Sequence, residues 1–330
     1  MRLKMEAGGG SWSLIESDPG VFSALVKKLG VIGIQVEELW SMDDEVLNKL
    51  KPVHGLIFLF KFLHDGEPQL PVVTDKAVLD KIYFAKQVIN NACATQAVIS
   101  ILMNCRHSDV DIGPELTKLQ EFSRSFDPYM RGLALSNSQT IREAHNSVAP
   151  GQFFEFETKA KASDDEDAYH FVAYVPIEGR VYELDGLREG PIDHGPIGQS
   201  EDWLHVVRPI IMRRINAYTE GEIHFNLMAV ISDQRMILER QLHELHCGSG
   251  ILTLSAEEFE KENHRLTSLM SLENYKLLCY RQEMKRRKHN YMPFIVNLLK
   301  LLAKDQKLSI LYEDAKSHVS ENINAMKMRA

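Results

Sequence analysis

A cysteine stands where a helix is predicted to begin, a position from which its thiol could act as a nucleophile. Residues 86–102 read KQVINNACATQAVISIL, with apolar residues at helical spacing from Ala94 onwards. Asn90 and Asn91 are typical N-cap residues, so we expect Cys93 in the first turn, where the helix dipole lowers the pKa of a thiol. Free cysteines are often buried and inert, so a structural thiol is the alternative at this stage.

A histidine and an aspartate are predicted to meet across a β-hairpin. His170 opens the strand HFVAYV, and Asp185 closes the strand RVYELD. If Glu178 and Gly179 form a two-residue turn, Val172 opposes Asp185 and His170 lies one diagonal step away on the same face. Diagonal neighbours are about 7 to 8 Å apart, within reach of these side chains. The pair could supply the base and orienting carboxylate of a thiol hydrolase, although His170 could also be a surface histidine.

Thiol hydrolysis also needs hydrogen-bond donors for the oxyanion that forms on the attacked carbonyl. Gln87 precedes Cys93 by six residues. Its side-chain amide could provide one donor, and the backbone N–H of Cys93 could provide the other. A solvent-facing glutamine is the alternative for Gln87.

Composition limits the classes of function that remain. The chain has 330 residues, 44% of them hydrophobic and 25% charged, which suggests a globular protein of about two domains. Its net charge of −8 argues against direct nucleic-acid binding. Four widely spaced cysteines indicate a reducing compartment rather than a disulfide framework. No membrane span is expected. The stretch HELHC lacks the spacing of a zinc site, so we expect no metal. We expect no cofactor either.

The pattern of apolar residues divides the chain into segments. Residues 12–232 alternate strands and helices, as in an α/β or α+β domain, and Val53–Phe62 is typical of a buried strand. Within this domain, residues 146–169 predict a long loop that is either functional or disordered. Residues 1–11 predict a flexible tail. Residues 233–330 predict helices only.

Two stretches resemble the active-site blocks of the ubiquitin C-terminal hydrolases, which are papain-like cysteine deubiquitinases: AKQVINNACATQA and EDAYHFVAYVPIEGRVYELDGLREGPI. The resemblance extends from Trp12 to Asp233. It implies Cys93 as nucleophile, His170 as general base and then acid, Asp185 as the group that orients His170, and Gln87 as oxyanion donor. It further implies a mixed sheet flanked by helices, with a knotted backbone, and ubiquitin or its conjugates as substrate, without a metal or cofactor.

The resemblance also gives the long loop and an N-terminal segment a function. The loop is expected to cross above the active site, so that the extended tail of ubiquitin passes beneath or beside it. We expect part of the ubiquitin-binding surface at Glu16, Ser17, Asp18, Pro19, Gly20 and Asn91.

The helical tail resembles the C-terminal extension of the long-tailed, proteasome-associated members of this family. This implies binding to the ubiquitin-receptor subunit of the proteasome's regulatory particle and, in some organisms, to a chromatin-remodelling complex, in cytoplasm and nucleus. An apolar stripe at helical spacing could fill a groove in such a partner or pack on the protein's own helices. We call it the tail stripe, and it consists of Tyr291, Phe294, Ile295, Leu298, Leu299 and Leu302.

These observations predict a hydrolase that cleaves amide or isopeptide bonds after the terminal glycine of ubiquitin and acts at the proteasome through its tail. The alternative is a ubiquitin-binding scaffold whose catalytic activity is low or depends on a partner.

Overall fold

The computed structural model describes residues 11–61, 70–89, 91–150, 169–199, 201–216, 225–247 and 255–327. They belong to two compact units. The first contains every strand of the sheet and continues to Met284, and the second includes residues 285–327. Among the helices described, none is long and apolar enough to cross a membrane.

Six strands form one sheet in the first unit, in the order β1-β6-β2-β3-β4-β5. Their bounds are β1 Ile34–Glu38, β2 Val53–Lys61, β3 Tyr169–Ile177, β4 Arg180–Leu184, β5 Ile192–Pro196 and β6 Phe225–Ser232. All pairs of neighbouring strands in the described sheet are antiparallel. The expectation of a mixed sheet is therefore wrong, because β6 returns between β1 and β2 in the opposite direction to both. The predicted knot depends on connections that include residues outside the described ranges.

The predicted hairpin between β3 and β4 is confirmed. Ile177 pairs with Arg180, and Ala173 pairs with Leu184. Glu178 and Gly179 form the turn with φ values of 47° and 75°. Positive φ at both central residues is the mark of a type I′ turn, whose twist matches that of a hairpin.

Helices cover both faces of the sheet. Their bounds are α1 Pro19–Lys28, α2 Asp44–Leu50, α3 Lys76–Leu79, α4 Cys93–Asn104, α5 Gly113–Phe122, α6 Pro128–Asn137, α7 Gln139–Val148, α8 Trp203–Asn216, α9 Gln234–Cys247 and α10 Ala256–Lys288. Because side chains alternate along β3, Phe171 and Ala173 join the core formed with α1 and α4. Val172 and Tyr174 join the core formed with α8 on the opposite face.

The helix that begins at Cys93 is buried on all sides. Apolar residues at helical spacing predict one buried face, but every residue from Ala94 to Met103 is buried. The reason is that α4 packs against β2, β3 and α1 together, and a helix enclosed in this way has no solvent-facing side. The start of α4 is consequently fixed by the core.

Two predicted boundaries need correction. Asn146 is not part of a loop, because α7 continues to Val148, and Tyr169 is already the first residue of β3. The remainder of the predicted crossing loop, residues 151–168, lies outside the described residues. Residues 1–10 of the predicted tail lie outside them as well, whereas the Ser11 carbonyl accepts a hydrogen bond from Asn146 Nδ2 at 3.0 Å.

The C-terminal extension is helical, as predicted. Its first part belongs to the unit that contains the sheet, where Lys276 of α10 binds Glu37 of β1 with an Nζ–Oε1 distance of 2.5 Å. The second unit contains α11, Met292–Lys304, and α12, Leu308–Lys327, which pack against each other.

Candidate active site

Cys93 is the first residue of α4, but Asn91 does not cap the helix. The N-cap position belongs to Ala92, which makes no side-chain hydrogen bond. Asn91 has a φ of 65°, a left-handed conformation that asparagine tolerates. Its Nδ2 donates to the Trp12 carbonyl at 3.3 Å instead. Asn90 lies outside the described residues. The N-cap prediction is therefore wrong for Asn91, which bonds to the N-terminal segment.

The thiol of Cys93 lies between the first turn of α4 and the start of β3. Burial raises its pKa above the ordinary value, while backbone hydrogen bonds from Ala94, Phe171 and Cys93 itself act in the opposite direction without reversing the shift. The helix start alone therefore does not produce a resting thiolate, contrary to expectation. The contact with the Phe171 backbone also places the thiol beside the residue that follows His170.

His170 and Asp185 form the buried pair that the hairpin register predicts. Nε2 of His170 donates to Oδ1 of Asp185 at 2.6 Å, and both residues are buried. The same carboxylate accepts the Leu187 N–H at 2.9 Å, and Arg188 Nε lies 3.5 Å from Oδ2. Burial alone would raise the pKa of Asp185, but the interactions with His170, Leu187 and Arg188 outweigh it, and the pKa is lowered. Asp185 thus remains an anion that orients the imidazole.

An aromatic ring that the sequence analysis missed supports His170 from β2. Phe60 pairs with His170 in the strand register, and their ring centroids are 6.0 Å apart in an edge-on arrangement. The Arg214 guanidinium lies over the same Phe60 ring at 5.2 Å and binds the buried carboxylate of Glu183 at 2.9 Å. The signal that could have identified Phe60 is the β2–β3 register, which the sequence does not specify locally.

Gln87 lies beside the turn that follows Asp185. Its backbone N–H donates to the Gly186 carbonyl at 2.8 Å, so the segment that contains Gln87 is bonded to the residue next to Asp185. Its side-chain Nε2 donates to the Ile89 carbonyl at 3.2 Å. One N–H of this amide is therefore engaged within its own segment, and its second N–H is the one that could donate to an oxyanion.

The predicted ubiquitin-binding segment is only partly accessible. Glu16 is exposed and Asp18 is half-buried, but Pro19 and Gly20 are buried. A Cβ added at Gly20 would lie 3.0 Å from the ring of Tyr280, so α10 covers this part of the chain. Pro19 and Gly20 therefore expose little surface, and their contact with ubiquitin stays a prediction. Ser17 is half-buried, and its Oγ donates to Asn226 Oδ1 at 3.1 Å.

The tail stripe lies on α11 and its N-cap residue Tyr291, and it is mostly exposed. Leu302 is half-buried, and the other members are exposed to solvent. Among the described residues, no group of three or more potential metal ligands is found. In HELHC, the Cys247 Sγ lies 3.5 Å from Nε2 of His243.

The geometry of Cys93, His170 and Asp185 agrees with the sequence comparisons. The profile described as ubiquitin carboxyl-terminal hydrolase, family 1, matches residues 12–216. The chain belongs to this family. It is accordingly a cysteine-type deubiquitinating hydrolase with the fold of the family and a helical extension. A second profile, described as ubiquitin carboxyl-terminal hydrolases, matches residues 263–308, which extend from α10 to the start of α12.

Several relatives match over nearly their whole length. The chain is 42% identical to ubiquitin carboxyl-terminal hydrolase ubh-4 of Caenorhabditis elegans, covering 97% of this chain and 98% of that protein. It is 38% identical to ubiquitin carboxyl-terminal hydrolase isozyme L5 of Dictyostelium discoideum, covering 94% and 96%. It is also similar to the crystal structure of Trichinella spiralis UCH37 bound to ubiquitin vinyl methyl ester, with a TM-score of 0.66 and 40% identity. That match covers 82% of this chain and 100% of the other.

Proposed function

We propose that the protein hydrolyses the amide or isopeptide bond after the C-terminal glycine of ubiquitin, with Cys93 as the nucleophile. The observation that carries this proposal is the buried 2.6 Å hydrogen bond between His170 and Asp185, next to the thiol at the start of α4. A nucleophile, a base and a group that orients the base are the required parts of a thiol hydrolase. Ubiquitin as the substrate is supported by the Trichinella relative, which was crystallised with a ubiquitin vinyl methyl ester.

In the proposed reaction, His170 accepts the Cys93 proton on Nδ1 while Nε2–H remains bonded to Asp185. The sulfur attacks the glycine carbonyl carbon, and the oxyanion accepts hydrogen bonds from the Cys93 backbone N–H and the Gln87 amide. The tetrahedral intermediate collapses, and the imidazolium gives its proton to the departing amine. A water molecule, deprotonated by His170, then hydrolyses the thioester, which releases the ubiquitin carboxylate and restores the thiol.

A fluorogenic amide of the ubiquitin C-terminus tests this proposal. We expect Cys93→Ala to abolish turnover and labelling by ubiquitin vinyl methyl ester while ubiquitin binding persists. Cys105→Ala is the matched control, because Cys105 is a half-buried thiol at the other end of α4. Turnover that persists in Cys93→Ala would refute the assignment of the nucleophile.

We also propose that the extension docks on the ubiquitin-receptor subunit of the proteasome's regulatory particle and, in some organisms, on a chromatin-remodelling complex. The exposed tail stripe supports this, because an amphipathic helix with apolar residues at such spacing fits a groove. Such partners would place the protein in cytoplasm and nucleus.

Charge substitutions on α11 test the docking proposal. We expect Phe294→Asp to abolish co-purification with intact proteasomes. Asn297→Asp adds the same charge on another side of α11 and should retain it. Equal retention by both variants would contradict docking through the tail stripe. Removal of residues 285–330 should release the protein from the proteasome and leave the unit with the sheet folded.

Partner-dependent activity is the second candidate function. It is favoured by the hydrogen bond between the Gln87 amide and the Ile89 carbonyl, because this bond ties one N–H of the proposed oxyanion donor to its own segment and restricts where the second can point. Turnover that appears only after the receptor subunit is added would support it. Full turnover by the isolated chain would exclude it.

A further inference from the structure

A buried glutamine on α4 contacts the segment that leads to Gln87. Gln96 lies on α4, three residues after Cys93, and is only 6% exposed. Its side-chain Nε2 donates a short hydrogen bond to the carbonyl of Ala85, two residues before Gln87. Because α4 is enclosed by the core, this bond fixes the Gln87 segment relative to the helix that begins at Cys93.

The same side chain packs against the turn that follows Asp185. A Cβ added at Gly186 would overlap Gln96 Nε2 and would lie 3.0 Å from Gln87 Cβ. Only glycine therefore allows this turn to approach so closely. The Gly186 carbonyl in turn accepts the Gln87 N–H at 2.8 Å. The Gln96 amide thus touches both the Gln87 segment and the turn after Asp185, and Gln96 itself belongs to the helix that begins at Cys93.

We propose that Gln96 is a positioning residue that sets the distance between Cys93, the Gln87 segment and the Asp185 turn. This rests on the roles assigned to those residues in the proposed function. An oxyanion donor acts only when it lies at hydrogen-bonding distance from the developing charge, so small displacements of Gln87 lower the rate strongly. Without its bond to Gln96, the Ala85 carbonyl loses a buried partner and the segment can shift.

Removing the donor without changing the volume tests the positioning role. We expect Gln96→Leu to lower kcat for the fluorogenic ubiquitin amide by about 10- to 100-fold while KM changes by less than about two-fold. Gln120→Leu is the matched control, because Nε2 of Gln120 donates to the Met103 carbonyl at 2.8 Å near the far end of α4. That variant should retain the kcat of the parent protein.

A pH profile separates positioning from a general loss of stability. In Gln96→Glu, a carboxylate cannot donate to the Ala85 carbonyl, whereas the protonated acid can, and burial raises the pKa of a carboxyl group. We expect the kcat of this variant, relative to the parent at the same pH, to rise several-fold between about pH 8 and pH 6. The corresponding ratio for Gln96→Leu should stay constant.

The outcomes distinguish the two proposals. If the parent protein does not cleave the ubiquitin amide in a Cys93-dependent manner, the proposed function fails. If the parent protein does cleave it, and Gln96→Leu folds and has the same kcat as the parent, the positioning role is overturned. A pH-independent ratio for Gln96→Glu would also overturn it, and this measurement remains decisive if Gln96→Leu does not fold. We expect the relative kcat to recover at low pH in Gln96→Glu and not in Gln96→Leu. We expect Gln120→Leu to be fully active.

Discussion

The His170 imidazole is held in one tautomer by its bond to Asp185. A carboxylate only accepts hydrogen bonds, so Nε2 carries the proton and Nδ1 is the nitrogen that can accept the proton of the thiol. The lowered pKa of Asp185 keeps this arrangement over the physiological range. The acid–base properties of the site thus depend on a carboxylate that need not touch the substrate.

Replacement of Asp185 by asparagine tests this dependence. The amide of Asp185→Asn can present N–H to the ring and stabilise the opposite tautomer, so we expect kcat to fall by about 10²- to 10⁴-fold with ubiquitin affinity unchanged. Steady-state kinetics and ubiquitin binding measure the two quantities. Asp193→Asn serves as control, since Asp193 pairs with Arg180 at 2.8 Å in the neighbouring hairpin. Comparable losses in both variants would contradict an orienting role.

The raised pKa of Cys93 makes a second prediction at this scale. Because burial raises the pKa of Cys93, we expect its alkylation by iodoacetamide in the ubiquitin-free protein to increase with pH and to reach half its maximum at a higher pH than that of an ordinary cysteine. Mass spectrometry identifies the modified cysteine at each pH. Rapid alkylation of Cys93 at neutral pH would instead indicate a resting thiolate.

Residue contacts within one hairpin were predictable, and contacts between distant segments were not. His170 and Asp185 are brought together by local register, which the turn residues Glu178 and Gly179 reveal. In contrast, the Tyr280 ring that covers Gly20 comes from more than two hundred residues later in the chain. The bond from Asn91 to Trp12 is also long-range. Periodicity carries no information on such contacts.

At the scale of elements, the sequence predicted which segments are strands and helices better than how they pair. β2 lies close to its predicted position because it is a continuous apolar run. The antiparallel insertion of β6 between β1 and β2 depends on pairing across most of the chain. Burial of α4 on all sides likewise depends on β2, β3 and α1 together. Neither feature is encoded in a local pattern.

Helix α6 supports the Gln87 segment through a glycine. A Cβ at Gly132 would overlap the carbonyl oxygen of Lys86, the residue before Gln87. We expect Gly132→Ala to lower the free energy of unfolding by about 1 to 3 kcal/mol, because overpacking outweighs the gain in helix propensity. We also expect a lower kcat, because the displaced backbone carries Gln87. Urea unfolding and steady-state kinetics measure both effects.

Gly30→Ala is the matched control for Gly132→Ala. Gly30 has a φ of 83°, and a Cβ added there would meet no atom within 4 Å. Alanine therefore introduces backbone strain of about 1 kcal/mol at that position without displacing a neighbour. If Gly30→Ala lowers kcat as much as Gly132→Ala does, then general destabilisation accounts for both losses.

At the scale of the whole molecule, the extension has two parts with different roles in stability. Half-buried contacts such as that of Lys276 with Glu37 join α10 to β1 in the unit that contains the sheet. The residues from Lys285 onwards belong to the second unit. A single sequence-based boundary after residue 232 does not distinguish these parts, since both are helical and rich in charge.

The response of the folded state to acid is a further property of the whole molecule. His54 is buried, with its Nε2 2.9 Å from Ser232 Oγ. Burial, and then the nearby His107, lower its pKa to about 4, while Asp109 acts in the opposite direction. The unfolded chain therefore binds a proton near pH 6.5 that the folded protein does not bind until about pH 4. Stability contributed by neutral His54 is lost as the pH falls through this window.

We expect the free energy of unfolding to decrease by up to about 3 kcal/mol between pH 7 and pH 4 on account of His54. His54→Gln retains a partner for Ser232 but cannot be protonated, so its stability should fall less steeply. Urea unfolding of both proteins at several pH values measures the difference. Burial also raises the pKa of the half-buried Glu37, but this carboxyl group is common to both proteins, so its effect on their comparison cancels. Asp185, whose pKa is lowered, affects stability only at more acidic pH. Parallel curves for the two proteins would show that another group controls acid unfolding.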